Sequence, residues 1–170
     1  MKNPPRSLDG HQLGLEARAV HDDHLAVRTW LRLLSLTTQI EQDIRTRLRE
    51  RFGTTLARFD YLAQLERHPD GLRMSALSRC LMVTGGNVTG LTTQLEAEAL
   101  VERLPDPQDG RSWRVRLTPK GRSDFAAMAA EHERWLRELF DGVPASDQQQ
   151  LYDLLGAMRS HLARPGAGPE

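Results

Sequence analysis

The sequence predicts a mainly α-helical fold with one small β-hairpin, arranged as a winged helix-turn-helix flanked by N- and C-terminal dimerisation helices. Three observations predict it. Apolar residues recur at helical spacing over a long stretch, Leu36, Ile40, Ile44, Leu48 and Phe52. Two shorter helical stretches are then separated by only a few residues around Thr84-Gly-Gly. Finally, Trp113, Val115 and Leu117 alternate with Arg114 and Arg116 behind a segment rich in turn formers, which reads as the second strand of a hairpin. The order helix, helix, short strand, helix, helix, hairpin, helix, helix is that of a winged helix-turn-helix.

Each element has a local reason. The first helix runs from about Leu25 to Arg51, and Gly53 breaks it. Trp30, Leu33 and Leu34 add a second apolar stripe near its start, so it packs against more than one neighbour. Thr54 or Thr55 caps a second helix through Phe59, Leu62 and Leu65 to about Arg67, which His68-Pro-Asp-Gly71 stops. Leu72-Arg73-Met74 is a candidate edge strand. Ser75 is the expected N-cap of a short helix over Ala76–Met82, and Thr84 that of a helix to about Ala99. Val101–Leu104 and Trp113–Leu117 are the hairpin strands, joined by the loop 105–111. Thr118 caps the next helix with Pro119 at its first position, and that helix continues through Phe125, Met128, Trp135 and Leu139. Ser146 and Gln149 have the spacing of a capping box for the last helix, which carries Leu151, Leu154, Leu155, Met158 and Leu162.

The implied organisation is a flexible segment 1–24, dimerisation helices 25–53 and 123–163, a DNA-binding lobe 54–122 and a disordered tail 164–170. The formal net charge is zero, so bulk charge announces no nucleic-acid partner. Within residues 71–122, however, eight basic side chains face five acidic ones, a local surplus of three. A basic hairpin suits phosphate contacts. The second short helix offers Thr84, Asn87, Thr89 and Thr93, together with Thr92, as short hydrogen-bonding side chains. Its glycines permit close approach of backbone to phosphate, while Val88, Leu91, Leu95 and Leu100 hold the other face in the core. Ser75, Asp109, Arg111 and Arg114 complete the candidate DNA-binding set.

At these residues the chain resembles the MarR family of bacterial regulators. Asp106-Pro-Gln-Asp109-Gly-Arg111 followed by Arg114-Val-Arg-Leu117-Thr-Pro-Lys-Gly121 is similar to that family's wing signature. Leu95-Glu-Ala-Glu-Ala-Leu100-Val-Glu-Arg103 is similar to its recognition-helix end and first wing strand. The resemblance covers about residues 25–163 and implies a homodimer on a pseudo-palindromic operator, usually a repressor. It implies that Arg111 enters the minor groove and that Asp109 orients it. It also implies release of DNA by a small, often aromatic, effector, for which Trp30, Leu34, Asp60, His132 and Trp135 are the candidate residues. Trp30-Leu-Arg-Leu-Leu34, Arg58-Phe-Asp-Tyr-Leu62 and Met82–Gly90 resemble the branch that senses hydroxycinnamoyl-CoA thioesters.

Other functions leave weaker marks. No nucleophile elbow, zinc-protease helix or phosphate-binding glycine loop is present, so the reading is not an enzyme. The six histidines are scattered without zinc spacing, and neither a cofactor nor a metal is expected. No run of about 18 apolar residues signals a membrane span, and the single cysteine, Cys80, suits a cytoplasmic location. Cys80 is expected to be a buried structural thiol; a redox-responsive regulator using it, or a helical protein-interaction adaptor without DNA binding, are the alternatives.

Overall fold

The computed structural model describes residues 25–81 and 85–163. They fall into two compact units, divided between His132 and Glu133.

In the first unit, α1 spans Leu25–Phe52 and α2 spans Leu56–Glu66. Thr55 is the cap of α2, its hydroxyl accepting from the Arg58 N–H at 3.3 Å. Strand β1 (Leu72–Arg73) leads directly into α3 (Met74–Cys80), and α4 follows over Gly85–Ala97. Ser75 is therefore not a cap. Arg73 holds the N-cap position without a side-chain bond, because β1 runs straight into the helix and draws Ser75 into its first turn. Thr84 lies outside the described residues.

Strands β2 (Val101–Asp106) and β3 (Asp109–Leu117) form the hairpin, with β1 added on the far side of β3 in the antiparallel order β1-β3-β2. The ladder reaches nearer the tip than the sequence predicts. Asp106 pairs with Asp109, which leaves a turn of only Pro107 and Gln108 in place of the loop 105–111. The register shifts between Pro105, paired with Trp113, and Asp106, paired with Asp109, so residues 110–112 of β3 have no partner on β2. At the sheet's other edge, Gly71 adopts φ +81°, and a Cβ there would stand 2.8 Å from the Val115 carbonyl oxygen.

The core of this unit is apolar and continuous: Ile44 and Leu48 of α1, Phe59, Leu62 and Leu65 of α2, Leu77, Val88, Leu95, and Val101, Val115 and Leu117 of the sheet. Only the second half of α1 contributes to it. Leu25, Val27, Trp30, Leu34 and Leu36 remain exposed.

The join between α4 and α5 (Pro119–Leu139) is unusually close. Helix α4 ends in a Schellman motif: the Leu100 N–H donates to Leu95 O and the Ala99 N–H to Glu96 O, both at 2.9 Å. The left-handed residue that this motif requires is Ala99, at φ +58°. Thr118 then links the two helices. Its hydroxyl donates to Ala99 O at 2.7 Å and accepts from the Gly121 N–H at 2.9 Å. Gly121 packs so tightly on Leu100 that a Cβ would fall 1.8 Å from the Leu100 carbonyl oxygen.

The second unit holds the end of α5 and α6 (Ala145–Leu162). No residue of α6 is buried. The expected capping box is absent: Pro144 is the N-cap, Ser146 bonds Asp147, and Gln149 donates to Asp153 one turn on. The proline carbonyl takes over, accepting the Asp147 and Gln148 N–H groups at 3.0 Å. Among the described residues no helix is long and apolar enough to cross a membrane.

Candidate nucleic-acid interface

Helix α4 divides cleanly by face. Val88, Thr92 and Leu95 are buried, whereas Gly86, Asn87, Thr89, Gly90 and Thr93 are exposed. A Cβ on Gly86 or Gly90 would meet nothing within 4 Å, so the outer surface there is bare backbone. Asn87 and Thr89 thus stand where the sequence places them. Thr93 does too, but its hydroxyl bonds Thr89 O at 3.1 Å and accepts from Arg103 Nη2 at 3.0 Å. Thr92 is turned inward and cannot reach a ligand at the surface. Its hydroxyl donates to Val88 O at 2.7 Å and meets the Tyr61 hydroxyl at 2.5 Å. Since a hydroxyl has one proton, Tyr61 is the donor of that pair.

The wing is tied down by a residue that the sequence reading did not single out. Asp106, only 4% exposed, receives Arg73 Nε at 2.7 Å and Arg73 Nη2 at 2.9 Å. Arg114 Nε lies 3.2 Å from the same carboxylate, and the Gln108 N–H donates to it at 2.9 Å. The Arg73 hydrogen bonds hold the Asp106 carboxyl far below the usual carboxylate range, against the desolvation that would raise it. Arg114, a candidate DNA contact, is thereby engaged on the protein itself. The available signal was Asp-Pro at the start of a turn, where an aspartate commonly accepts the N–H two residues on. Its bidentate partner lies 33 residues away and left no local trace.

Asp109 is exposed and accepts from Ser112 Oγ at 2.6 Å. Arg111 lies on β3 beside the turn, but its side chain lies outside the described residues, so the expected Asp109–Arg111 contact rests on the family resemblance. Much of the lobe's positive charge is locally matched: Arg58 with Glu98, Arg103 with Glu96, Arg116 with Glu102, Arg122 with Glu66 and Lys120 with Asp124. Exposed pairs of this kind exchange readily for other anions.

Of the effector candidates, Trp30, Leu34, Asp60 and His132 belong to the first unit and Trp135 to the second. Trp30 and Leu34 are exposed on α1, and Trp135 is buried. Asp60 and His132 do influence each other. Desolvation pushes the Asp60 carboxyl up, and the facing His132 draws it partly back. Desolvation pushes the His132 imidazole down, with Asp60 opposing. The His132 ring also stacks on Phe59, with centroids 4.7 Å apart. Cys80 is exposed, not buried, because it closes α3 on the solvent side.

Comparison with known proteins gives a consistent picture. A family profile described as MarR family matches residues 52–112. A MarR family transcriptional regulator from Silicibacter pomeroyi is 34% identical, superposes with a TM-score of 0.70, and overlaps 81% of this chain and 94% of its own. The HTH-type transcriptional regulator YdgJ of Bacillus subtilis is 32% identical over 110 residues, 65% of this chain and 66% of its own length. Sco3205, a MarR family regulator from Streptomyces coelicolor solved in complex with DNA, shares the fold with a TM-score of 0.69 at 22% identity, over 82% of this chain and 88% of its own.

Proposed function

Because the chain belongs to the MarR family of transcriptional regulators, we propose that it is a homodimeric repressor that binds a pseudo-palindromic DNA operator in the cytoplasm. The observation that carries this reading is the outer face of α4, where Asn87 and Thr89 flank bare glycine backbone beside a basic hairpin. Short polar side chains on a helix with an unobstructed surface suit the major groove, and Arg111 at the wing suits the minor groove. Two copies would be held together by the exposed apolar residues of α1 and of α6, and a symmetric operator would follow from the two-fold axis.

Residues 25–53 and 123–163 act as the dimerisation helices of this reading, and 54–122 as the reading lobe. Ser75, Thr84 and Thr93 supply further DNA contacts around α3 and α4. A small aromatic acid or aromatic acyl-CoA thioester is the proposed effector, with Trp30, Leu34, Asp60, His132 and Trp135 as its contacts. The carboxyl of Asp60 and the ring of His132 supply polar groups, and the tryptophans supply stacking surface.

A mobility shift on the region upstream of the protein's own gene tests the reading. The wild type is expected to shift it, and Arg111→Ala to bind more weakly by about 1–3 kcal/mol. A wild type that shifts neither this region nor a set of control promoters would sink the DNA reading. Calorimetry with p-coumaroyl-CoA and with ferulate tests the effector; heat with neither removes this ligand class.

A further inference from the structure

We propose that Arg73 and Arg114, oriented by Asp106, form a seat for one backbone phosphate of double-stranded DNA. The inference rests on the DNA-binding reading and adds to it a residue, Arg73, and a division of labour.

The register sets up the argument. Arg73 on β1 lies directly opposite Arg114 on β3. Like charges directly opposite each other destabilise a ladder. A single carboxylate, Asp106, stands between them. Asp106 is the carboxylate that bonds Arg73 and lies against Arg114, while Asp109 adds only a weaker through-space attraction on Arg73.

The distribution of exposure is also uneven. The Asp106 side chain is 2% exposed, whereas those of Arg73 and Arg114 are 39% and 34% exposed. The anion is shielded and already accepts from Arg73 twice and from the Gln108 N–H. The cations present their remaining edges to solvent. Arg73 spends two of its five N–H donors on Asp106. Arg114 donates from Nη1 to Asp70 O at a long 3.4 Å, and its Nε is buried 3.2 Å from the Asp106 carboxylate, so the donors it can offer at the surface are those of its Nη groups. Two planar forks fixed side by side with donors to spare match the oxygens of a phosphate.

Position selects the phosphate's source. Arg73 is the last residue before α3, the first helix of the helix-turn-helix, and Arg114 belongs to the wing. The seat therefore bridges the two elements that would flank a duplex. Contacts there fix the protein's register on DNA without reading sequence.

The test uses the full chain, with binding followed by fluorescence anisotropy at several salt concentrations. Two duplexes are compared, one from the upstream region and one scrambled. Arg73→Gln and Arg114→Gln are each expected to weaken both duplexes by a similar factor and to lower the salt slope by about one. Asp106→Asn removes a negative charge, so simple electrostatics predicts tighter binding, whereas an orienting role predicts weaker binding. Melting curves check each fold, and Asp106→Ser, which also removes the charge, replaces the asparagine variant if that fails to fold. An unchanged salt slope in both arginine variants, with wild type bound, overturns the seat alone. Tighter binding by the folded Asp106 variant overturns its orienting role. A wild type that binds neither duplex overturns the seat and the DNA reading together.

Discussion

The Tyr61 phenol donates its proton to the Thr92 hydroxyl across 2.5 Å, joining α2 to the buried side of α4. Both residues are fully buried, and burial pushes the Tyr61 hydroxyl up to about 12. Tyr61→Phe removes a donor but leaves Thr92 bonded to Val88 O, so the expected loss is about 1 kcal/mol. Thr92→Val strands a buried phenol and should lose more, about 1–3 kcal/mol. The double variant should lose less than the sum. Denaturant titrations of the three chains measure this, and strict additivity would exclude the bond.

Ala99 offers a stabilising change. An L-residue in the left-handed region is disfavoured by about 1–2 kcal/mol, whereas glycine enters it freely. Ala99→Gly relieves that strain at φ +58°. Glycine's greater freedom in the unfolded chain takes back about 0.4–1 kcal/mol. A net gain of about 0.5–1 kcal/mol is expected, read as a higher midpoint in urea. At Gly121 the sign reverses: the added methyl of Gly121→Ala would collide with backbone that a rotamer change cannot move. A loss of about 3 kcal/mol or more is expected, and a variant as stable as wild type would contradict the packing.

Asp60 and His132 give a pH-dependent pair of opposite sign. The lowered His132 pKa means that the folded state resists protonation of the ring. Its contribution to stability is present above the unfolded value of about 6.5 and is lost as pH falls through that region. The raised Asp60 pKa works the other way: the fold gains as pH falls and Asp60 protonates, and loses as pH rises through the raised value. Asp60→Asn removes the one opposing charge on His132, so the ring should titrate at still lower pH. NMR of the imidazole follows this directly, and an unmoved titration would show that the two groups do not interact.

Leu154 and Leu155 on α6 are 62% and 42% exposed. Leu154→Glu together with Leu155→Glu should convert the proposed dimer to monomer in sedimentation velocity while leaving the helical signal of the lobe intact. Operator binding should fall with it. A doubly substituted chain that still sediments as a dimer would move the interface elsewhere.

The element order was legible because it rests on local signals. Apolar spacing marks α1, Thr55 marks α2, Thr118-Pro119 marks α5, and strand alternation marks β3. Boundaries slipped where tertiary contacts decide. Strand β1 exists only because β3 is beside it, and its pairing draws Ser75 into a helix that it was expected to precede. The exposed face of α4 could be read from its sequence, but the inward turn of Thr92 could not, since that depends on Tyr61 lying 31 residues away. The ties of the wing escaped for the same reason: Arg73 and Asp106 meet only once the sheet has formed.

The same carboxylate that gathers the arginines also closes the Pro107–Gln108 turn by accepting the Gln108 N–H. Ordering one residue of free backbone costs about 1–2 kcal/mol, and a proline further narrows the choices. A turn already tied in the unbound protein surrenders little freedom on meeting a rigid surface. Loosening it, through Asp106 or Pro107, would therefore weaken recognition as an entropic burden, even if every contact with the partner were kept.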